Sequence, residues 1–224
     1  MSRKADALIV AAGKGERSGL DIPKQFFEID GKPVLFYTIE AFHSSGVIDN
    51  IAVALPDEGF EEYRDYMRGF ADFTGLCYIR GGKSRMISVY NGLTELKKND
   101  AGALVCIHDG VRPFVTHEII KASIECAEKY GAALTAVKIT DTVKLVENGI
   151  VKSTCDRNRL FAAQTPQTFD IDIIKNAYEK AFADGMEFTD DCAVAEYCGV
   201  EVHINEGSIK NRKLTVREDF EWLI

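Results

Sequence analysis

The sequence predicts an α/β fold with a mostly parallel sheet flanked by helices. Short apolar segments typical of strands alternate along the chain with longer amphipathic segments typical of helices. Residues that commonly cap helices stand at the ends of several amphipathic segments. The chain has 224 residues, 46% of them hydrophobic, and contains no linker rich in Pro, Gly or Ser. We therefore expect a single domain over residues 1–224 with one substantial core.

Six segments have the apolar character of buried strands. They are ADALIVAA (5–12), NIAVALP (50–56), LCYI (76–79), ALVCIHD (103–109), AALTAVKI (132–139) and VEVHIN (200–205). Each lies next to a helical segment, and a helix between two strands is the usual crossover that allows them to pair in parallel.

Four helices have recognisable boundary residues. The pairs are Pro33 and Gly46, Thr116 and Gly131, Asp170 and Gly185, and Thr189 and Gly199. Proline suits a first helical turn, Thr and Asp side chains accept hydrogen bonds from the first free N–H groups, and glycine suits the left-handed end.

The segment 138–160 interrupts the alternation of strands and helices. It contains two β-like stretches around Asn148-Gly149, a strong signal for a tight hairpin turn. A polar hairpin of this kind is poorly stabilised alone, so we expect an arm of about residues 138–160 that packs on a second subunit.

Composition excludes several classes of function. With a formal net charge of −8 and no long basic run, the chain lacks the Lys and Arg clusters that nucleic acids or anionic membranes require. The first apolar segment is short and ends in glycines, so we expect neither a signal peptide nor a membrane span. The six cysteines form no C-x-x-C pair. We expect reduced thiols and a cytoplasmic protein.

The loop after the first strand is the first candidate site. Within a short stretch it carries three glycines and three cations: Gly13, Gly15, Gly19, Lys14, Arg17 and Lys24. Glycines allow backbone N–H groups to approach a phosphate, and the cations supply charge. The third glycine falls one residue too late for the dinucleotide fingerprint G-x-G-x-x-G. The alternative is a simple glycine turn between a strand and a helix.

The second candidate is the loop that begins IRGGKS, at residues 79–84. It imitates a Walker A loop, but Cys77 stands where that pattern needs its first glycine. The loop still offers a plausible contact for a base or a ribose, formed by Gly81-Gly82 with Ser84, Arg85 and Ser88 at the start of a helix. The alternative is a turn followed by a helix cap.

The third candidate is the end of the strand CIHD, followed by GVRPF. Asp109 can bind a ribose hydroxyl or a metal ion, and Arg112 can bind phosphate or orient that carboxylate. The alternative is an ion pair that closes a loop.

Seven groups of residues together resemble the cytidylyltransferases that act on 2-C-methyl-D-erythritol 4-phosphate. In order they are AAGKGERSG (11–19) with PKQF (23–26), GGKSRMISVYNGL (81–93), HDGVRPF (108–114), DTVK (141–144), DRNRLFAAQTPQTF (156–169), TDDCAVAEYCG (189–199) and NRKLT (211–215). The resemblance spans nearly the whole chain. It implies a Rossmann-like nucleotidyltransferase fold, with a mostly parallel twisted sheet and a projecting β-hairpin arm used in dimerisation. It also implies CTP and a polyol phosphate as substrates, a divalent cation such as Mg²⁺, and a homodimer with a site shared between subunits.

The resemblance also implies roles for individual residues. Arg17 and Lys24 would stabilise the transition state, while Arg157 and Lys213 would position the acceptor phosphate. The implied nucleotide-binding residues are Ala11, Ala12, Gly13, Gly15, Gly82, Ser88, Asp109 and Arg112, with Asp109 also a possible metal ligand. The implied acceptor-binding residues are Thr142, Arg157, Thr165, Thr189 and Lys213, with Thr142 and Arg157 reaching the partner's site.

Three other activities are weighed against this prediction. Transfer of CMP to ribitol 5-phosphate shares the first loop, RPF and QTPQ, but TDDCAVAEYCG is more typical of the methylerythritol group. A catalytically silent nucleotide-binding module would need only some of the four implied catalytic cations, all of which are present. The glycine spacing disfavours a dinucleotide-dependent dehydrogenase.

Four positions depart from the pattern of the family that the chain resembles: Ser18, Ile87, Gly110 and Arg212.

Overall fold

The computed structural model describes residues 5–13, 15, 19, 22–97 and 103–221. Its strands are β1 (Ala5–Val10), β2 (Glu28–Ile29), β3 (Lys32–Pro33), β4 (Ile51–Leu55), β5 (Leu76–Arg80), β6 (Leu104–Asp109), β7 (Ala132–Lys138), β8 (Lys144–Glu147), β9 (Ile150–Thr154), β10 (Phe161–Asp170) and β11 (His203–Glu206). Its helices are α1 (Val34–Ser44), α2 (Phe60–Arg68), α3 (Arg85–Leu96), α4 (His117–Tyr130), α5 (Ile171–Ala183), α6 (Asp191–Tyr197) and α7 (Arg217–Glu221).

Seven strands form the central sheet, in the order β11-β7-β10-β6-β1-β4-β5. Neighbouring strands pair in parallel except at β10, which runs antiparallel to both β6 and β7. The predicted mostly parallel α/β fold is confirmed. All six predicted strands are present, but β10 was not predicted as a strand.

Most of the core of the described residues lies in two apolar layers, one on each face of the sheet, and a smaller third cluster contains Val34, Val111, Leu214 and Phe220. Successive strand residues point to opposite faces, so Ile9 packs with α1, α2 and α4 while Leu8 packs with α3, α5 and α6. Neither side chain is exposed. The helices therefore cover both faces and leave the carboxyl ends of the parallel strands open to ligands.

The helix ends follow the sequence prediction with two shifts. Thr116 and Asp170 cap α4 and α5 through their side-chain oxygens, as expected. Pro33 lies just before the first helical residue instead of within the first turn. The cap of α6 is Asp190 and not Thr189, because the Asp190 carboxylate accepts the Ala193 N–H at 3.0 Å.

The predicted hairpin is present at β8 and β9, which form a separate two-stranded sheet in the part of the chain that the structure describes. Asn148 and Gly149 both have positive φ, 51° and 76°, the requirement of a type I′ turn. All nine residues of the two strands are exposed.

Within the described residues, the helices are too short or too polar for any of them to span a membrane.

Candidate active site

Two adjoining cavities lie at the carboxyl ends of the central strands. The large one has a volume of about 800 Å³ and the small one about 130 Å³. Three side chains line both cavities: Arg85, Asp109 and Lys213. A ligand in one cavity is therefore next to a ligand in the other, and charged groups stand where they meet.

The first loop lines the large cavity with Ala11, Ala12, Gly13, Gly15 and Lys24, five of the predicted residues. Gly15 has a φ of 74°, which favours glycine. The loop is fixed by a residue that the sequence analysis did not single out. The buried Gln25 side chain donates to the carbonyls of Ala11 and Gly13, at 2.8 and 2.9 Å. Its position beside Lys24 in PKQF was the available signal.

Arg17 and Lys14 lie outside the described residues. The role that the resemblance implies for Arg17 therefore stays a prediction.

The second loop is shaped by the Ser88 hydroxyl. This hydroxyl accepts the Gly82 N–H at 2.9 Å and donates to the Ser84 carbonyl at 2.9 Å. Ser84 in turn caps α3 by accepting the Ile87 N–H. A side chain at Gly82 would collide with Ile87, because an added Cβ would lie 2.2 Å from its Cγ2. Gly82 and Ser88 both line the large cavity, and the cap predicted as the alternative is also present.

Asp109 is the electrostatic centre of the site. Its carboxylate lies 2.9 Å from Lys213 Nζ, 3.5 Å from Arg112 Nε and 3.7 Å from Arg85 Nε. Burial alone would raise the pKa of Asp109, but the attraction of Lys213, Arg85 and Arg112 outweighs it and holds that pKa well below its usual range. Asp109 is therefore ionised and its negative charge is shared among three cations.

The small cavity contains the predicted residues Arg112, Thr165 and Thr189. Arg112, which the resemblance assigns to the nucleotide side, lines this cavity and is absent from the lining of the large one among the described residues. Its guanidinium donates to the Asn211 carbonyl at 2.8 Å and so ties the loop that carries Lys213 to the strand end.

Thr165 is held by the strand next to it. Its hydroxyl accepts the Asp109 N–H at 3.1 Å and lies 3.1 Å from His108 Nδ1. His108 is fully buried, and burial lowers the pKa of its imidazole to about 4. His108 is a packed strand residue whose Nδ1 has a fixed neighbour in Thr165.

Two further wall residues of the small cavity, Gln164 and Gln167, were missed by the sequence analysis. Both lie on β10 and are buried. Gln164 donates to the Ser208 carbonyl at 2.8 Å, and the Gln167 side-chain oxygen accepts the Asp191 N–H at 2.9 Å. They connect β10 to the loops on either side of the cavity.

Arg157 and Thr142 lie near the hairpin and away from this site. Neither lines either cavity within the chain. The exposed Arg157 guanidinium donates to the Thr140 carbonyl at 3.0 Å. The structure of one chain thus brings Lys24, Asp109 and Lys213 together, but not these two residues.

The donor set at Asp109 fits a magnesium ion that is carried largely by a phosphorylated ligand. Mg²⁺ in nucleotide sites is usually held by one or two carboxylates, with phosphate oxygens and water as its remaining ligands. Asp109 offers one carboxylate at the junction of the cavities. Among the described residues, no three or more His, Cys, Asp or Glu side chains are grouped to hold a metal ion by themselves.

The arrangement suits the transfer of a group between two anionic ligands. Fixed cations can stabilise negative charge that develops on phosphate oxygens, and two adjoining cavities hold the reacting atoms next to each other.

Comparison with known proteins agrees with this interpretation. A protein from Clostridioides difficile named 2-C-methyl-D-erythritol 4-phosphate cytidylyltransferase is 42% identical over 212 residues, which are 95% of this chain and 89% of that protein. One from Geotalea uraniireducens with the same name is 41% identical over 219 residues, 96% of this chain and 93% of the other.

Solved structures give the same result. The crystal structure of 4-diphosphocytidyl-2C-methyl-D-erythritol synthase from Anaerococcus prevotii is 31% identical, with a TM-score of 0.85, and the match covers 99% of this chain and 96% of that one. The Francisella tularensis 2-C-methyl-D-erythritol 4-phosphate cytidylyltransferase is 28% identical, with a TM-score of 0.83, over 98% and 97% of the two chains. The family profile of 2-C-methyl-D-erythritol 4-phosphate cytidylyltransferase (IspD) matches residues 5–222, and the chain belongs to this family.

Proposed function

We propose that this chain transfers CMP from CTP to 2-C-methyl-D-erythritol 4-phosphate. The products are 4-diphosphocytidyl-2-C-methyl-D-erythritol and pyrophosphate, and the reaction belongs to the non-mevalonate route to isoprenoid precursors. Family membership supports the reaction. The observation that carries the assignment of the site is the pair of adjoining cavities with Asp109 and Lys213 in their common wall.

In this proposal CTP occupies the large cavity and the acceptor occupies the small one. The large cavity has the volume of a typical small-ligand site and contains the glycine-rich first loop with Lys24. Backbone N–H groups and a lysine suit a triphosphate. The small cavity carries Thr165 and Thr189, whose hydroxyls suit a phosphorylated polyol.

The chemistry is a direct phosphoryl transfer. An oxygen of the acceptor phosphate attacks the α-phosphorus of CTP, a new P–O bond forms, and the bond to the β-phosphate oxygen breaks as pyrophosphate leaves. Lys24 and Arg17 stabilise the charge that accumulates on the triphosphate oxygens. Lys213, which touches both cavities, reduces the repulsion between two anionic substrates.

In our proposal a divalent cation, Mg²⁺, would be held by Asp109 together with substrate phosphates. It would supply positive charge that offsets the negative charge of the phosphates. Within the chain, Arg85 and Arg112 hold the Asp109 carboxylate in place, and the more exposed Lys213 lies 2.9 Å from it.

We further propose a single cytoplasmic nucleotidyltransferase domain that acts as a homodimer. The hairpin of one subunit would bring Thr142 and Arg157 to the small cavity of the other. This proposal is supported by the exposed position of Arg157 and by the lack of either residue in the cavities of its own chain, as far as the structure describes it.

The reaction is tested by pyrophosphate release from CTP with each acceptor in turn. We expect release with 2-C-methyl-D-erythritol 4-phosphate and a much lower rate with ribitol 5-phosphate. Release with ribitol 5-phosphate alone would move the assignment to the sister activity. Release with neither acceptor would favour a binding module.

The shared site is tested by mixing two inactive variants, Lys24→Ala and Arg157→Ala. Mixed dimers contain one site in which both native residues are present. We expect activity to return after subunit exchange, while each variant alone stays inactive. If no activity returns although mixed dimers form, the two residues do not act in one site across the interface.

A further inference from the structure

Arg85 stands where the two cavities meet, and its guanidinium faces two different carboxylates. Nη1 donates to Asp191 Oδ1 at 2.8 Å and Nη2 to Asp191 Oδ2 at 2.7 Å. On its other side, Nε lies 3.7 Å from Asp109 Oδ1. The arginine is the first residue of α3, while Asp191 is the first residue of α6, more than a hundred residues later. This ion pair therefore joins the nucleotide-side loop to the acceptor side.

Asp191 is completely buried, and its surroundings are closed. The Tyr178 hydroxyl donates to Asp191 Oδ1 at 2.6 Å, and the Asp191 N–H donates to the Gln167 side chain. Among the described residues, Arg85 is the cation paired with this carboxylate. A buried carboxylate requires such a partner, and two parallel hydrogen bonds fix orientation as well as charge. The start of α6 is thereby fixed relative to α3.

The two residues immediately before Asp191 form part of the wall of the small cavity, which the proposed function assigns to the acceptor. Thr189 and Asp190 both line the small cavity. Because their backbone continues directly into Asp191, the bonds that fix the Asp191 carboxylate also restrain these two residues, together with Gln167, which donates to the Asp190 carboxylate at 3.0 Å. Arg85 itself lines both cavities and retains 26% side-chain exposure, so it also borders the space for ligands.

We propose that Arg85 is a positioning residue for acceptor binding, which acts through its bidentate pair with Asp191 and thereby fixes Thr189 and Asp190. The proposal rests on the proposed function, since it assigns the small cavity to the acceptor. It differs from the interpretation of the sequence, which placed Arg85 at the base or the ribose.

The first test is Arg85→Lys, which keeps the positive charge but cannot form a planar two-point pair. We expect the KM for 2-C-methyl-D-erythritol 4-phosphate to rise about tenfold, while the KM for CTP changes less than about threefold. Adding Asp191→Glu to Arg85→Lys should lower the acceptor KM most of the way back to the wild-type value, because the longer side chain of glutamate compensates for the shorter reach of lysine. The control is Arg64→Lys on α2, whose partners Glu61 and Asp65 are exposed.

The second test removes the charges in case Arg85→Lys fails to fold. The triple variant Arg85→Met, Asp191→Leu, Tyr178→Phe leaves neither a buried carboxylate nor a buried hydroxyl without a partner, and buried ion pairs are often replaced by apolar groups without loss of stability. We expect a folded protein, with a melting temperature near that of the wild type, whose acceptor KM is raised about tenfold or more.

Wild-type kinetics in the triple variant would overturn the proposal. An equal rise of both KM values in Arg85→Lys would also overturn it, because Arg85 would then serve the nucleotide side as well. Failure of the proposed function is seen separately: the wild-type protein would release no pyrophosphate from CTP with this acceptor.

Discussion

At the scale of single residues, the site depends on how one carboxylate is shared among cations. Asp109 touches Lys213 most closely, at 2.9 Å, while Arg112 and Arg85 are more distant. Lys213 is the most exposed of these three cations, with 35% of its side chain accessible. It can therefore exchange its contact with Asp109 for a contact with a substrate phosphate, whereas Arg112 is held in the wall.

We predict that Lys213→Met lowers kcat/KM by about 10- to 100-fold, because a charge-assisted hydrogen bond contributes about 1.5–3 kcal/mol. The measurement is steady-state pyrophosphate release with the acceptor varied. Lys210→Met is the matched control, since Lys210 is exposed on the same loop and lines neither cavity. Equal kinetics in both variants would contradict a role of Lys213 at the junction of the cavities.

His108 gives stability a dependence on pH. Its pKa is lowered to about 4 by burial, with Arg112 and Lys213 lowering it further, while the Arg112 carbonyl and Asp109 raise it. In the unfolded chain a histidine titrates near its ordinary pKa of about 6.5. Between these two values the unfolded chain binds a proton that the folded protein does not. The free energy of unfolding therefore falls as the pH falls through this window.

We predict that this histidine accounts for a loss of roughly 3 kcal/mol in unfolding free energy between pH 7 and pH 4. His108→Asn cannot titrate there, so its loss over the same range should be smaller by about that amount. Urea unfolding of both proteins in metal-free buffer measures the difference. His43→Asn serves as the control because His43 is exposed. Parallel pH curves for wild type and His108→Asn would contradict the prediction.

At the scale of secondary-structure elements, β10 shows where the sequence signal was weakest. The predicted strands are apolar, but the middle of β10 is Gln164-Thr165-Pro166-Gln167-Thr168. A proline and four polar residues argue against a central strand, yet the four polar side chains are buried and three of them line the small cavity. Their hydrogen-bond partners lie on β6, on α4 and on loops distant in sequence, and they make this burial possible. Such distant partners leave no local pattern in the sequence.

The candidate site, like the sheet, was predictable where its residues follow an apolar strand and not where they depend on partners distant in sequence. Loops at strand ends could be chosen because ligands bind there in α/β folds, and most of the chosen residues line the two cavities. Arg85 was assigned to the base or ribose because it lies between Gly82 and Ser88 in the sequence. Its actual partner, Asp191, is distant in sequence and depends on the tertiary fold.

The capping of α5 permits a quantitative prediction. The Asp170 carboxylate accepts the N–H groups of Asp172 and Ile173, at 2.9 and 3.3 Å. We predict that Asp170→Ala lowers the free energy of unfolding by about 1–2 kcal/mol, because two N–H groups lose their partner. Asp170→Asn keeps an accepting oxygen and should lose less than half as much. Thermal and urea unfolding measure both, and equal losses would show that charge, not capping, is responsible.

At the scale of the whole molecule, the positive charges at the cavities contrast with the negative net charge of the chain. The chain has a formal net charge of −8, yet its two cavities meet at a cluster of Lys213, Arg85 and Arg112 around one carboxylate. In our proposal, anionic substrates are therefore bound by a few local cations instead of by a basic surface. A cluster of cations restricted to the cavities agrees with a small phosphorylated ligand, and it is compatible with a negative net charge over the rest of the molecule.

The hairpin of β8 and β9 is the part of the fold for which we propose a second chain as the packing partner. Val146 and Val151 lie opposite each other on β8 and β9, and their side chains are 50% and 58% exposed. An isolated two-stranded hairpin is marginally stable in water, and a cross-strand valine pair gains stability only when it is covered. In our proposal a second copy of the chain covers it.

We predict that the wild-type protein is a dimer and that Val146→Lys combined with Val151→Lys shifts it to a monomer, because two lysines opposite each other cannot be buried in an apolar contact. Light scattering after size-exclusion chromatography measures the mass, and pyrophosphate release should fall together with it, since Arg157 would no longer reach a partner's cavity. Lys152→Ala, one residue further along β9 and on the opposite face, should leave mass and activity unchanged. A wild-type monomer with full activity would contradict both the interface and the shared site.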